Sequence, residues 1–293
     1  MSDTSESLRR KIGTASDLQS VVRTMKAIAA SSIGQYEGAV HALEDYYRTV
    51  ELSLRACLGA TPPVSIPVTL GPPGTGAIGV IVFGSDQGLV GKFNEIMVDF
   101  VVQQLSALPG EKIVWAVGER LQNRFNDTAF SQGKPFSLPN AIGSIAPLVG
   151  QILVEVERLR EQGDISQVYV YHHRPQAGSI YTPVAQRLLP LDNAWRQAIT
   201  QITWPSNNLP EVVHPGTQSL RAFVHEFLFV SLFRACAESL ASENASRLAA
   251  MQRAEKNITD LLEDLNRSFH RLRQSGIDEE LFDLVAGFEA LKR

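Results

Sequence analysis

The sequence predicts an α/β protein of a particular kind. Its N- and C-terminal helices form a long antiparallel coiled coil, and a Rossmann-like α/β domain is inserted between them. Three observations predict this. From Ser219 to Leu291 there is no proline, and Phe223, Val230, Ala237, Asn244, Met251, Ile258, Leu265 and Leu272 recur every seven residues, all apolar except Asn244. Leu8, Ala15, Val22, Ala29, Tyr36, Leu43, Val50 and Cys57 repeat the pattern at the other terminus, ahead of the first proline, Pro62. Between these stretches, short apolar runs alternate with amphipathic ones. Seven-residue spacing held over such lengths is the pattern of a helix supercoiled on a partner. A helix from Ser219 onward would be roughly 100 Å long at 1.5 Å per residue, too long for an ordinary globular core. The N-terminal stretch is the natural partner.

The first helix is expected from Ser5, with Ser5 or Ser7 as its cap, to about Leu58. Ile12, Ile33, Val40, Tyr47 and Leu54 flank its apolar row, while Gly34 and Gly38 each weaken it by roughly 1 kcal/mol relative to alanine. The C-terminal helix has a second row, Phe227, Ala241, Leu248, Leu262 and Phe269, interrupted by Arg234 and Glu255. In the middle, Ile78–Phe83, Lys112–Val117 and Gln167–His172 read as strands, and Tyr181–Leu189 as a fourth strand in a hairpin with the third. Asn94–Leu105, the region around Arg120–Arg124, and Ile145–Arg160 read as helices, the last stopped by Gly163. Strands alternating with helices predict a mainly parallel sheet. The expected division is therefore coiled-coil helix 1–60, linker 61–76, α/β domain 77–203, linker 204–216 and coiled-coil helix 217–293. Both linkers are rich in proline or glycine.

Composition narrows the function. A net charge of −4 over 293 residues gives no footprint for nucleic acid. Cys57 and Cys236 fit no metal or redox spacing, so reduced thiols are expected. No apolar run approaches a membrane span and no signal region opens the chain, which points to a soluble, cytosolic protein.

Two glycine-rich loops invite a nucleotide reading, and the chemistry of both fails. Gly71–Gly76 (GPPGTG) resembles the start of a phosphate loop, but Ala77 and Ile78 stand where lysine and a hydroxyl residue are needed, and the loop precedes a strand instead of following one. Gly84–Asn94 (GSDQGLVGKFN) does lead from strand to helix, where an anion is physically tolerable. Asp86, however, takes the place of the first glycine and Phe93 that of the hydroxyl residue, so a structural turn is the better reading. The adjacent His172 and His173 would point to opposite faces of a strand, which argues against a shared metal. No nucleophile and base pair is recognisable, and no cofactor is expected.

Ser242–Asn257 (SENASRLAAMQRAEKN) resembles the "SE-x-x-x-R-x-x-AM-x-x-A-x-x-N" stretch of the gamma subunit of the F-type ATP synthase. Arg273 and Gln274 match that family's Arg-Gln pair, and Ile277–Ala290 resembles its C-terminal signature through Ile277, Glu280, Asp283 and Gly287. Arg10, Ile12, Gln19, Met25, Lys26, Ala29 and Ala30 match its first helix in order, and SDQGLVGKFN is similar to its SDRGLCGGFN. The resemblance spans the whole chain. Departures are Asp278 for threonine, Phe288 for alanine, Gln87, Val90 and Lys92 for arginine, cysteine and glycine, and Ser20 and Ser32 where lysine is frequent. They suggest a divergent branch, with the alternate, sodium-type operon version as the specific expectation.

The resemblance implies a non-catalytic rotor shaft standing in a ring of alpha and beta subunits. The α/β domain would lie at the membrane end with the epsilon subunit and the c-ring. It implies attachment to the cytoplasmic face of a bacterial-type plasma membrane through the complex, or the organelle equivalent. It also implies partner contacts at Met25, Lys26, Arg247, Arg273, Gln274 and Glu280. The competing readings are a coiled-coil scaffold carrying an α/β nucleotide-binding module, and an enzyme that uses that module. The alternative for Arg247 is a solvated helix face, and for Met25 plain coiled-coil packing.

Overall fold

The computed structural model describes residues 4–60, 76–176, 179–208, 210–212 and 217–290. The elements in chain order are α1 (Ser5–Ala60), β1 (Ala77–Phe83), α2 (Phe93–Ser106), β2 (Lys112–Val117), α3 (Glu119–Phe125), β3 (Ser131–Gln132), α4 (Ile145–Gln162), β4 (Ile165–Gln176), β5 (Ser179–Leu189), α5 (Asn193–Gln201) and α6 (Thr217–Ala290). The Gly71–Gly76 loop and the 61–76 linker lie outside the described residues except for Gly76. The chain divides into two compact units, Met1–Ala29 with Arg247–Arg293, and Ala30–Ser246.

In the first unit the ends of α1 and α6 run antiparallel. Gln19 Nε2 donates to Thr259 Oγ1 at 3.0 Å, and Arg23 and Lys26 meet Glu255. The apolar rows supply the seam: Leu8, Ala15, Ala29 and Met251 are buried, and Ile12, Val22, Ile258 and Leu265 are half-buried.

In the second unit the sheet has the order β3-β2-β1-β4-β5, parallel throughout except for β5, which pairs antiparallel with β4. Alternation along each strand divides the side chains between two cores. Val80, Val82, Val114 and Tyr171 pack with Met97 and Val101 of α2 and Leu121 and Phe125 of α3. Ile81, Phe83, Trp115 and Val170 face the other way, onto α4 and the parts of α1 and α6 that belong to this unit. Covered on both faces, β1 reads as an unbroken apolar run. α4 ends as expected at Gly163, whose φ of 80° suits a residue without a Cβ.

Two elements have no counterpart in the sequence reading. β3 is a two-residue edge strand with both residues exposed, so it carries no apolar signal. α5 is capped by Asp192, whose Oδ1 accepts from the Trp195 amide at 2.9 Å, and it buries little beyond Ile199 and the Trp195 ring, which lies 5.4 Å from Phe227. β4 is also longer than the expected Gln167–His172, because the hairpin with β5 continues to the Gln176–Ser179 pair.

The turn from β1 into α2 is held by its own side chains. Asn94 Oδ1 accepts from the Ser85 amide at 3.1 Å, and its Nδ2 donates to Ser85 Oγ at 2.8 Å, both residues being buried. Asp86 accepts from the amides of Glu119 and Leu138. Asn94→Ala leaves the buried Ser85 amide without an acceptor, so we expect a loss of about 1–3 kcal/mol. Urea denaturation should show a lower midpoint at unchanged slope; an unshifted midpoint would show that the Asp86 contacts alone hold the turn.

Candidate partner contacts and the buried polar clasp

The six residues matched to partner-contact positions fall into two groups. Met25, Lys26 and Arg247 are half-buried, whereas Arg273, Gln274 and Glu280 are exposed. Lys26 Nζ sits 2.5 Å from Glu255 Oε2, and Arg23 Nε sits 3.1 Å from Glu255 Oε1. Hydrogen bonds from Lys26 and then Arg23 hold the Glu255 carboxyl below its ordinary value. Glu255 therefore interrupts the apolar row of α6 in order to meet two cations from α1. Arg247 also has an interaction partner.

Around the exposed group, the end of α6 carries apolar side chains in water. Ile277, Leu281, Leu284 and Val285 are more than half exposed, and Phe282 is 73% exposed. The sequence signature includes Ile277, Glu280 and Asp283 but not Leu281, Phe282, Leu284 or Val285, although the density of apolar residues there is legible. Exposed apolar side chains at this density make the end of α6 a candidate interaction surface.

A second polar constellation lies inside the sheet-containing unit, and sequence reasoning did not find it. Glu238 of α6 is 3% exposed, yet it accepts three hydrogen bonds: from His172 Nε2 and Arg174 Nε of β4, both at 2.8 Å, and from Arg234 Nε one turn back, at 2.7 Å. Burial alone would raise the Glu238 carboxyl, but the bonds from His172, Arg174 and Arg234 outweigh it and bring the pKa down to about 2. Burial pushes His172 the other way, keeping it neutral so that Nε2–H serves as a donor. The two adjacent histidines do face opposite sides of the sheet. His173 Nε2 donates to the Phe93 carbonyl at 2.9 Å, and its ring packs against Phe93 and Tyr181.

Two further contacts extend this line along α6. Ser242 Oγ donates to the His173 carbonyl at 3.2 Å as well as to Glu238 O, and Ser246 Oγ donates to the Val90 carbonyl at 2.6 Å. The Gly84–Asn94 turn is thus tied to α6 through Val90. Cys57 and Cys236 are buried free thiols, and burial raises both. Among the described residues, no group of three or more His, Cys, Asp or Glu side chains is placed to hold a metal ion.

The ATP synthase family profile matches residues 4–291. The chain belongs to the ATP synthase gamma-chain family. The gamma chain of Moorella thermoacetica is 26% identical over 289 residues, covering 97% of this chain and 98% of that one. The gamma chain of Frankia casuarinae is 27% identical over 293 residues, with 97% and 96% covered. Among solved structures, a chain of the Euglena gracilis mitochondrial ATP synthase OSCP/F1/c-ring assembly superposes with a TM-score of 0.67 at 14% identity, covering 98% of this chain and 94% of that one. A chain of the rotor of the same enzyme gives 0.63 at 13%, covering 93% and 98%. At such identities the likeness is one of fold.

The buried histidines make the stability of this gamma chain sensitive to acid. Burial, offset only partly by the bond to Phe93 and reinforced by His172, lowers His173 from 6.5 to about 4. The unfolded chain therefore binds the proton first. Stability from this group is complete above 6.5 and is lost as pH falls toward 4, in total by about 3 kcal/mol at 1.36 kcal/mol per unit. Thermal melts between pH 7.5 and 4.5 should show a slope that flattens in His173→Gln. An equal slope in the variant would place the acid sensitivity elsewhere.

Proposed function

We propose that this chain is the central rotor shaft of a rotary F-type ATP synthase. As the gamma subunit it couples ion-driven rotation of a c-ring to ATP synthesis or hydrolysis in an alpha/beta ring. The observation that carries this is the family match over residues 4–291. Paired terminal helices flanking an inserted sheet domain accord with it. The gamma subunit is not a catalyst. In the β1–α2 turn, the one described glycine-rich loop, the Ser85 amide already has a side-chain acceptor and Asp86 is occupied by the Glu119 and Leu138 amides, which disfavours the nucleotide-module reading.

The partners are the alpha and beta subunits, the epsilon subunit and the c-ring, within the membrane-associated F1 complex. The cytoplasmic face of a bacterial plasma membrane is the location proposed. We assign residues 1–60 and 217–293 to the shaft, 77–203 to the sheet domain, and 61–76 and 204–216 to linkers. The departures in the β1–α2 turn and the C-terminal signature support a divergent branch, and the genes flanking this one would test the sodium-type assignment.

Met25, Lys26, Arg247, Arg273, Gln274 and Glu280 are proposed as contacts to the ring. Support is strongest at the end of α6, where Arg273, Gln274 and Glu280 adjoin exposed Ile277, Leu281 and Phe282. The planar fork of arginine suits carboxylate or carbonyl acceptors. Loss of one buried hydrogen-bonded charge at an interface typically costs about 2–5 kcal/mol. Arg273→Ala combined with Gln274→Ala should leave the free chain folded by circular dichroism. It should weaken co-purification with alpha and beta subunits, or lower coupled ATP turnover in the reconstituted complex. Normal assembly and turnover would show that the pair is merely solvated, and failure of the unaltered chain to join alpha and beta subunits would overturn the rotor reading.

A further inference from the structure

Torque that enters the sheet domain must reach α6 through the contacts between them. Most of that interface is apolar, and the hydrophobic term in it is non-directional, so it does not by itself select one register. Glu238, Ser242 and Ser246 are different. They are spaced four apart and so share one face of α6 over two turns. Each bonds to the sheet domain: Glu238 to the His172 and Arg174 side chains, Ser242 to the His173 carbonyl, and Ser246 to the Val90 carbonyl. Such bonds weaken steeply when misaligned, so they oppose both translation along the helix and rotation about it.

Glu238 is the strongest of the three. Its two oxygens join β4 to α6 in one charge-assisted set, with Arg234 of α6 and Arg174 of β4 each giving Nε. A cavity of about 250 Å³ borders the set and is lined by both arginines, Gln186, Ser231 and Tyr47. It leaves the outer ends of the guanidinium groups room for water, which lowers the cost of enclosing the carboxylate. Tyr47 of α1 places its ring 6.0 Å from the Arg234 guanidinium, adding a contact from the other helix. His173 continues the connection to the start of α2 through the Phe93 carbonyl.

We propose that Glu238, held by His172, Arg174 and Arg234, is a positioning residue that locks the sheet domain to α6 so that the two turn as one body. This deepens the rotor reading and rests on it. It assigns Glu238 a role in coupling that is distinct from contact with the catalytic ring and from chemistry.

The test uses the complete membrane-bound complex carrying Glu238→Gln or Arg174→Gln, with Arg158→Gln, which breaks a surface pair with Glu155, as control. The Arg174 side chain is 47% exposed, so its variant keeps the proposal testable even where Glu238→Gln assembles poorly. The readout is ions translocated per ATP hydrolysed, from proton or sodium uptake into vesicles measured beside hydrolysis in the same preparation. A role in folding alone changes the amount of complex and leaves this ratio intact. The lock predicts that the ratio falls by half or more in both variants and stays at the wild-type value in the control. It also predicts that the double variant Glu238→Gln, Arg174→Gln is no worse than Glu238→Gln, because the two act through one set of bonds. A wild-type ratio in both variants of a complex that pumps normally when unaltered overturns the lock alone. An unaltered chain that joins no ATPase ring removes the rotor reading and the lock with it.

Discussion

The fold depends on the burial of one apolar stripe by another. α6 has 74 residues and α1 has 56, and neither can bury its own seven-residue row. Where polar residues enter these rows they are paired. Glu255 meets Arg23 and Lys26, and Arg234 meets Glu238. The Glu255 pairs, which cross from α6 to α1, fix the register in a way the apolar rows cannot. A slip of one heptad would set Glu255 against Ser16 and Gln19, or against Ala30 and Ile33, and neither set offers a cation. The apolar rows supply the association, and the ion pairs select among the registers that those rows would otherwise accept nearly equally.

Between Val230 and Ser246, α6 is buried around most of its circumference, with Phe233, Arg234 and Ala245 the half-buried exceptions. A helix enclosed on all sides is ordinarily hydrophobic on all sides. This one carries Ser231, Glu238, Ser239, Ser242, Glu243, Asn244 and Ser246. Small side chains let the helix come close to the sheet and to α1, and hydroxyl, amide and carboxyl groups reach the polar atoms exposed there. Burying charge at Glu238 is tolerable because two arginines and an imidazole N–H satisfy it, whereas an unpaired carboxylate at that depth would be strongly destabilising.

The large features were legible because they rest on local pattern. Heptad rows gave both long helices, apolar runs bounded by glycine gave β1 and β2, and Gly163 gave the end of α4. β3 and α5 escaped because one lies exposed at a sheet edge and the other buries too little to show a period. The clasp escaped for a different reason. In the heptad frame Glu238 falls one residue after Ala237 and reads as an outward, solvated side chain. Its partners His172 and Arg174 lie 66 and 64 residues away, and nothing local joins them. For the adjacent histidines, the alternation rule gives opposite faces. The rule could not say that one face would meet a carboxylate. The residues proposed as ring contacts are legible only through family resemblance, since exposed arginine and glutamine on a helix have no periodic signature of their own.

Two kinds of contact are thus distributed along α6 in a way that suits a turning part. Where the helix is fastened to its own sheet domain, directional bonds to Glu238, Ser242 and Ser246 penalise relative displacement. Where the rotor reading sets it against other subunits, Arg273, Gln274 and Glu280 stand among exposed apolar side chains, Ile277, Leu281, Phe282, Leu284 and Val285. Apolar contact holds without demanding a particular angle, so a partner sleeve can exclude water from such a surface while the surface moves past it. Had the two patterns been exchanged, a run of buried directional bonds at the tip would favour one angle, and a root without them would leave the register of the sheet domain to packing alone. The chemistry of each segment follows from which of its contacts must stay fixed and which must give.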